Sequence, residues 1–200
     1  MKTYLNDDSF FTYIAIPGQF GNICLLNWFN SSNTARFRII QDDEADADFL
    51  NLKERLELYP GIVTYTIVMN PWARAFFCYQ QLTACRDQNI EIPFIKYFDL
   101  SSFENFVMTW PTEKFENSQF TLDSPQVDWV IDGEQTVDYL FRAETLTEDF
   151  RVIQKYFNQE DKPLEIVETY PDYQDKFTEP MKEKINQLFK KDIEHFGYKF

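Results

Sequence analysis

The sequence predicts an α/β fold: a doubly wound parallel sheet flanked by helices. Three observations predict it. Segments of strand composition alternate with segments of helical periodicity, the order that parallel strands joined by crossover helices require. The run Ile62–Met69 is β-branched, aromatic or apolar almost throughout and does not alternate with polar residues, as a central strand covered on both faces does. Two strand-to-helix joints, after Ile16 and after Met69, carry the Gly and Pro residues that end a strand and start a helix. In such a sheet ligands gather where the carboxyl ends of the strands open, so both joints are candidate sites.

Phe10–Ile16 has strand composition, and Asn22–Phe29 has apolar positions suited to a helix. Between them, Pro17-Gly18-Gln19-Phe20-Gly21 holds two of the chain's five glycines. Strand, glycine-containing turn and helix make a P-loop-like unit, because backbone amides at a helix N-terminus can cradle a phosphate. The loop has no GK[ST]. A tight turn kept for folding is therefore the stronger reading of these residues.

Arg36–Ile40 predicts a second strand, with Arg36 and Arg38 on one face. The acidic run Asp42–Asp48 fits the first turn of a helix, where the macrodipole favours negative charge. A calcium loop starting at Glu44 would need glycine at its sixth position and an acidic ligand at its twelfth, which here is Arg55. That helix runs to about Tyr59, with Phe49, Leu52, Leu56 and Tyr59 on one face, and Pro60-Gly61 stops it.

After the central strand, Asn70 is the natural N-cap and Pro71 the first residue of a helix to Asp87, since proline has helical φ and no amide hydrogen to waste. Ser102 offers the next N-cap, for Phe103–Trp110, and Pro111 ends that helix. Thr112–Ser124 reads as a polar surface loop. Val137–Arg142 predicts a strand, with Thr147 capping a helix to about Asn158. Repeats, low-complexity runs and Gly/Ser linkers are absent, so residues 1–200 read as a single domain.

Composition removes several functions. At 44% hydrophobic and 18% aromatic the chain is globular and has ample material for a core. A net charge of -14 without clustered Lys or Arg argues against nucleic acid, whose phosphates need such clusters. The three cysteines, Cys24, Cys78 and Cys85, lack CxxC spacing and fit a reduced protein; Cys78 and Cys85, two helical turns apart, fit one packed face. His195 is the only histidine, so neither a His-based metal site nor a Ser-His-Asp triad can be assembled, and no metal is expected. Ser9–Ala35 has no charged side chain, but Pro17, Gly18, Gln19 and several asparagines interrupt it, and Asp7 and Asp8 spoil a signal peptide. The expectation is a soluble, cytoplasmic protein without a membrane partner.

The joint Val68-Met69-Asn70-Pro71-Trp72-Ala73-Arg74-Ala75-Phe76-Phe77-Cys78-Tyr79 resembles the sulfotransferase motif V-R-[DN]-P-x-x-R-x-x-S-x-Y, which holds the 3′-phosphate of the donor PAPS. Val68, Asn70, Pro71, Arg74 and Tyr79 match; the phosphate-binding arginine and serine fall on Met69 and Phe77. The earlier loop is similar to I-P-K-[TS]-[AG]-G-[TS]-S, the 5′-phosphosulfate loop, through Ile16, Pro17 and Gly21, with Gly18 at the lysine and Gln19, Asn22 and Ile23 at the hydroxyl positions. Phe103–Val107 resembles the short F-x-x-F-v helix, and Gln126–Trp129 the Q-x-x-[WFY] element that lines the acceptor cleft. Arg142–Phe150 is similar to R-x-E-x-L-x-x-D-F, Tyr173–Phe177 to Y-x-x-x-[FY], and Asp192–Phe200 to D-[IL]-x-x-F-G-Y-x-F.

What the resemblance implies is a fold, a cofactor and a site. The reaction would be transfer of a sulfuryl group from PAPS to a hydroxyl, often on a carbohydrate, and short soluble relatives of this kind occur in bacteria and their viruses. PAPS or its product PAP would meet Gly18, Gln19, Phe20, Gly21 and Asn22 in the first loop and Met69, Asn70, Arg74 and Phe77 in the second. Gly18, Met69 and Phe77 lack the two cations and the hydroxyl of the motifs, and removing one preorganised charge-stabilising contact commonly costs about 3 kcal/mol in rate. Compensation would fall to Arg36, Arg38 or Arg74, although a structural pairing with Glu144 suits Arg74 better. Two functions therefore stand side by side: a divergent working transferase, and a sulfotransferase-fold protein serving as a binding or assembly component with a carbohydrate or protein partner.

Overall fold

In the computed structural model the described residues are 2–6, 11–16, 21–31, 37–39, 56–57, 60–91, 95–111, 122 and 124–200. The acidic helix expected up to Tyr59 lies outside them, apart from helical Leu56 and Glu57, and so does most of the loop expected at Thr112–Ser124. Arg36 and the side chain of Arg38 are outside them as well. The chain divides into two compact units, residues 1–69 with 128–169 and residues 70–127 with 170–200.

The first unit is mixed α/β. Its strands β1 (Lys2–Asn6), β2 (Phe11–Ala15), β3 (Phe37–Ile39), β4 (Val63–Val68) and β7 (Tyr139–Arg142) form a five-stranded sheet in the order β3-β1-β2-β4-β7. β2, β4 and β7 are parallel, registered Ile14 to Thr66 and Thr66 to Leu140, whereas β1 is antiparallel to both its neighbours. The sheet is thus parallel only in its three strands β2, β4 and β7. β1, which carries no apolar run, has no counterpart among the sequence expectations; pairing with β2 over five registered positions is what makes it a strand. A two-stranded ladder, β5 (Ile131–Asp132) with β6 (Gln135–Thr136), was equally unmarked.

β4 behaves as its composition requires, with Thr64 to Val68 all buried. Its two threonines are satisfied: Thr66 Oγ1 donates to the Ile14 carbonyl at 2.6 Å, and Thr64 Oγ1 donates to Asp138 Oδ2 at 2.8 Å. Tyr13 stacks on Tyr65 across the β2–β4 pair, ring centroids 4.9 Å apart. Helix α1 (Asn22–Ser31) follows β2, and its Trp28 meets Phe150 edge-on at 4.9 Å.

The tail of β7 accounts for the sequence around it. Asp149 Oδ2 accepts from the Arg142 amide at 3.0 Å and from Thr145 Oγ1 at 2.8 Å, folding the chain back at the strand's end. Helices α5 (Leu146–Asp149) and α6 (Arg151–Tyr156) begin there, α4 being the single turn Val127–Val130. Thr147 is not the cap expected of it. It lies inside α5, whose N-cap is Thr145, because the 3₁₀ turn Ala143–Thr145 starts the helical path earlier.

The second unit is helical and aromatic. It contains α2 (Pro71–Asp87), α3 (Phe103–Met108), α7 (Glu179–Leu188) and α8 (Lys190–Phe196). α2 occupies the residues expected, capped by Asn70 with Pro71 at its first position, and Ser102 Oγ accepts from the Asn105 amide at 3.1 Å to cap α3. Phe106, Trp110 and Phe189 form a chain of edge-on rings at 4.9 and 5.7 Å, and Phe103 meets Phe177 at 4.9 Å.

Candidate functional site

Because β2, β4 and β7 run parallel in register, Ile16, Met69 and Arg142 leave the sheet at the same end. In the first unit this places the start of α1 at the carboxyl edge of the sheet. Gly18, Gln19 and Phe20 lie outside the described residues; Gly21 and Asn22 are within them. Gly21 is buried with φ +90°, a conformation that L side chains rarely adopt. A Cβ there would stand 2.4 Å from Leu146 Cδ2 and 3.3 Å from Ile67 Cδ1. Glycine is therefore demanded twice, by torsion and by space, without any ligand.

Asn22 is spent on the loop itself. Its Nδ2 donates to the Ile16 carbonyl at 2.9 Å, and its Oδ1 accepts from the Tyr13 hydroxyl, so the side chain bridges the two ends of the turn. The Gly21 amide, which in a phosphate-binding loop would face the ligand, donates instead to Glu168 Oε2 at 2.9 Å. Half-burial raises the Glu168 carboxyl above its ordinary value, and the Gly21 hydrogen bond only partly opposes this. A carboxylate of the same chain thus holds an amide at the start of α1.

Met69, the last residue of the first unit, is 0% exposed. In the second unit Asn70 Oδ1 accepts from the amides of Trp72 and Ala73 at 3.0 and 3.4 Å. Its Nδ2 donates to the Lys199 carbonyl at 3.0 Å, so both polar ends of the side chain are engaged in structure. Phe77 is 4% exposed.

Arg74 is buried to 2% exposure, and its surroundings are those of a structural cation. Nη1 donates to the Ser124 carbonyl at 3.3 Å, and the guanidinium carbon stands 5.5 Å from the centroid of Phe189. The counter-charge that the structure sets beside it is Asp192, 0% exposed on α8. Burial pushes the Asp192 carboxyl up, while hydrogen bonds from Gln126 and from the Val127 amide at 2.9 Å, together with Arg74, pull it down. Burial also pushes the Cys78 thiol up to about 11, which leaves it an inert packing residue. Glu144, the partner expected for Arg74, is an exposed residue of the 3₁₀ turn Ala143–Thr145.

Neither Glu168 nor Asp192 stood out as a functional residue in the sequence. Asp192 opens the Asp192–Phe200 ending, and that position was its one signal. For Glu168 there was none: its contact with Gly21 spans 147 residues. Among the described residues no group of three His, Cys, Asp or Glu could hold a metal ion, and no helix is long and apolar enough to cross a membrane. No family model, no curated protein and no solved structure matches the chain.

Proposed function

We propose that this chain is a sulfotransferase-like protein, with a P-loop-like doubly wound ancestry, that has left PAPS chemistry and serves as a non-catalytic binding or assembly component for a carbohydrate or protein partner. The observation that carries this reading is the Gly21 amide donating to the Glu168 carboxylate at 2.9 Å. An incoming phosphosulfate would have to displace that carboxylate and would meet its negative charge. The 3′-phosphate positions point the same way, because Met69 and Phe77 are buried apolar residues and supply neither charge nor hydroxyl. At the first loop, Gly18 stands where the motif has the lysine that would meet charge moving onto the leaving oxygen.

Titration calorimetry with PAP is the test. No heat of binding is expected at millimolar PAP. Micromolar affinity would overturn the proposal and return the chain to the divergent working transferases.

A further inference from the structure

In the sheet order β3-β1-β2-β4-β7, β7 is an edge strand. Its inner side pairs with β4 from Tyr139 to Arg142, and no described strand pairs with its outer side. The Arg142 amide goes to Asp149 Oδ2 rather than into the ladder, which turns it away from β4. Successive residues of a strand present their backbone groups to opposite sides, so Leu140, two residues earlier, also points its N–H and C=O outward. Tyr139 and Leu140 are 39% and 37% exposed, one on each face of the strand. An edge with outward backbone groups and apolar side chains on both faces is a template for another strand.

We propose that β7 pairs antiparallel with β7 of a second copy of this chain, on a two-fold axis through Leu140. The order Asp138-Tyr139-Leu140-Phe141-Arg142 selects this occupant, because reversing it about Leu140 sets each residue against a complementary one. The two Leu140 residues exchange both of their backbone hydrogen bonds. Asp138, exposed at the start of the strand, faces Arg142 of the second copy, and Tyr139 faces Phe141 of the second copy. Opposite charges and aromatic pairs placed directly across an antiparallel pair are both favourable. Within one copy the Tyr139 and Phe141 rings already lie nearly parallel, 13° apart with centroids at 6.5 Å, so pairing extends them into one row of four rings.

The same groups fix the register and keep the contact short. The Asp138 amide donates to Thr64 Oγ1 at 3.1 Å and the Arg142 amide to Asp149, so the backbone exchange is confined to Leu140. A slip of one residue would set the outward groups of Leu140 against the inward ones of Tyr139 or Phe141 and break both charge pairs. A contact of this length belongs with small, transient interfaces. It rests on the β7 edge and not on the PAPS positions, so it goes beyond the proposed function and stands or falls apart from it.

The experiment is sedimentation equilibrium on the full chain in about 0.3 M salt, which screens the repulsion between two chains of charge -14. A monomer–dimer equilibrium with a Kd of about 0.1 mM is expected. Leu140→Lys and Leu140→Glu each place like charges across the two-fold axis and should each weaken the dimer at least about tenfold, while an equimolar mixture of the two should form a heterodimer at least as tight as the wild-type dimer. In the wild type the Leu140 amide should also gain about fourfold protection from hydrogen exchange between about 10 µM and 1 mM protein, the protection that this Kd implies. That measurement needs no variant to fold. A wild type that stays monomeric to about 1 mM, single variants that dimerise like the wild type, a mixture no tighter than either variant alone, or a Leu140 amide indifferent to concentration would each overturn the pairing.

Discussion

Asn70 fastens Lys199: its Nδ2 donates to the Lys199 carbonyl at 3.0 Å while its Oδ1 caps α2. The chain's end is thereby tied to the start of the helix at the central joint. Phe200 beyond it meets Trp72 at 5.6 Å and Phe177 at 5.6 Å, and the Lys182 ammonium stands 4.2 Å from its ring centroid. Phe196 and Tyr198 are both buried. Deleting residues 196–200 removes two buried rings, each worth about 2 kcal/mol, so a large fall in Tm is expected in thermal melts. Asn70→Ala should cost about 1 kcal/mol for the lost cap, and more through the released Lys199 carbonyl. An unchanged Tm after the truncation would show that the tail does not support the fold.

Met69 and Phe77 predict how the chain responds to having the motif residues restored. Read from the sequence alone, Gly18→Lys, Met69→Arg and Phe77→Ser would rebuild a phosphate site. Their burial makes two of the three changes core disruptions: truncating a buried phenylalanine costs about 3–5 kcal/mol, and an unpaired guanidinium at Met69 adds several kcal/mol. The triple variant should lose its cooperative melt rather than gain PAP affinity. A variant that melts like the wild type and binds PAP would mean that the second loop still encloses an anion site.

Gly21→Ala and Gly61→Ala separate torsion from space. Both positions have positive φ, +90° and +83°, so both variants should lose about 1–2 kcal/mol. Of the two, Gly21 has a neighbour in the way, Leu146 Cδ2 at 2.4 Å, whereas no atom of the described residues lies within 4 Å at Gly61. Urea denaturation should show Gly21→Ala losing about 1–3 kcal/mol beyond Gly61→Ala, the usual cost of overpacking. Equal losses would mean that Leu146 moves aside freely.

Arg74 and Asp192 should be strongly coupled. Arg74→Met leaves Asp192 buried without its cation and should cost about 3–5 kcal/mol at neutral pH, while Arg74→Met with Asp192→Asn should cost much less than the two single losses combined. The sign of the pH dependence follows from the carboxyl itself. Its affinity for a proton is raised on folding, so its contribution is present below the ordinary aspartate value and is lost as pH rises through the folded one. Melts of Asp192→Asn should lack that part of the pH profile. Additive losses in the double variant would show that the two groups do not interact.

What the sequence by itself determined is local. The unbroken apolar run of β4, the Asn-Pro start of α2, the Ser102 cap of α3 and the glycine at the start of α1 all rest on residues within a turn or two of one another. Backbone torsion, capping and side-chain period act over that range, so these elements could be read along the chain. β1 could not, because its partner strand rather than its composition makes it a strand. The tertiary structure alone decided what the joints hold. Gly21 gives its amide to Glu168, 147 residues away, and the Val127 amide goes to Asp192, 65 residues away. Arg74, a residue of the motif frame, lies among Ser124, Phe189 and Asp192. A buried amide or guanidinium must find a partner, but no local rule names which residue supplies it, since any part of the chain that the fold brings near can do so.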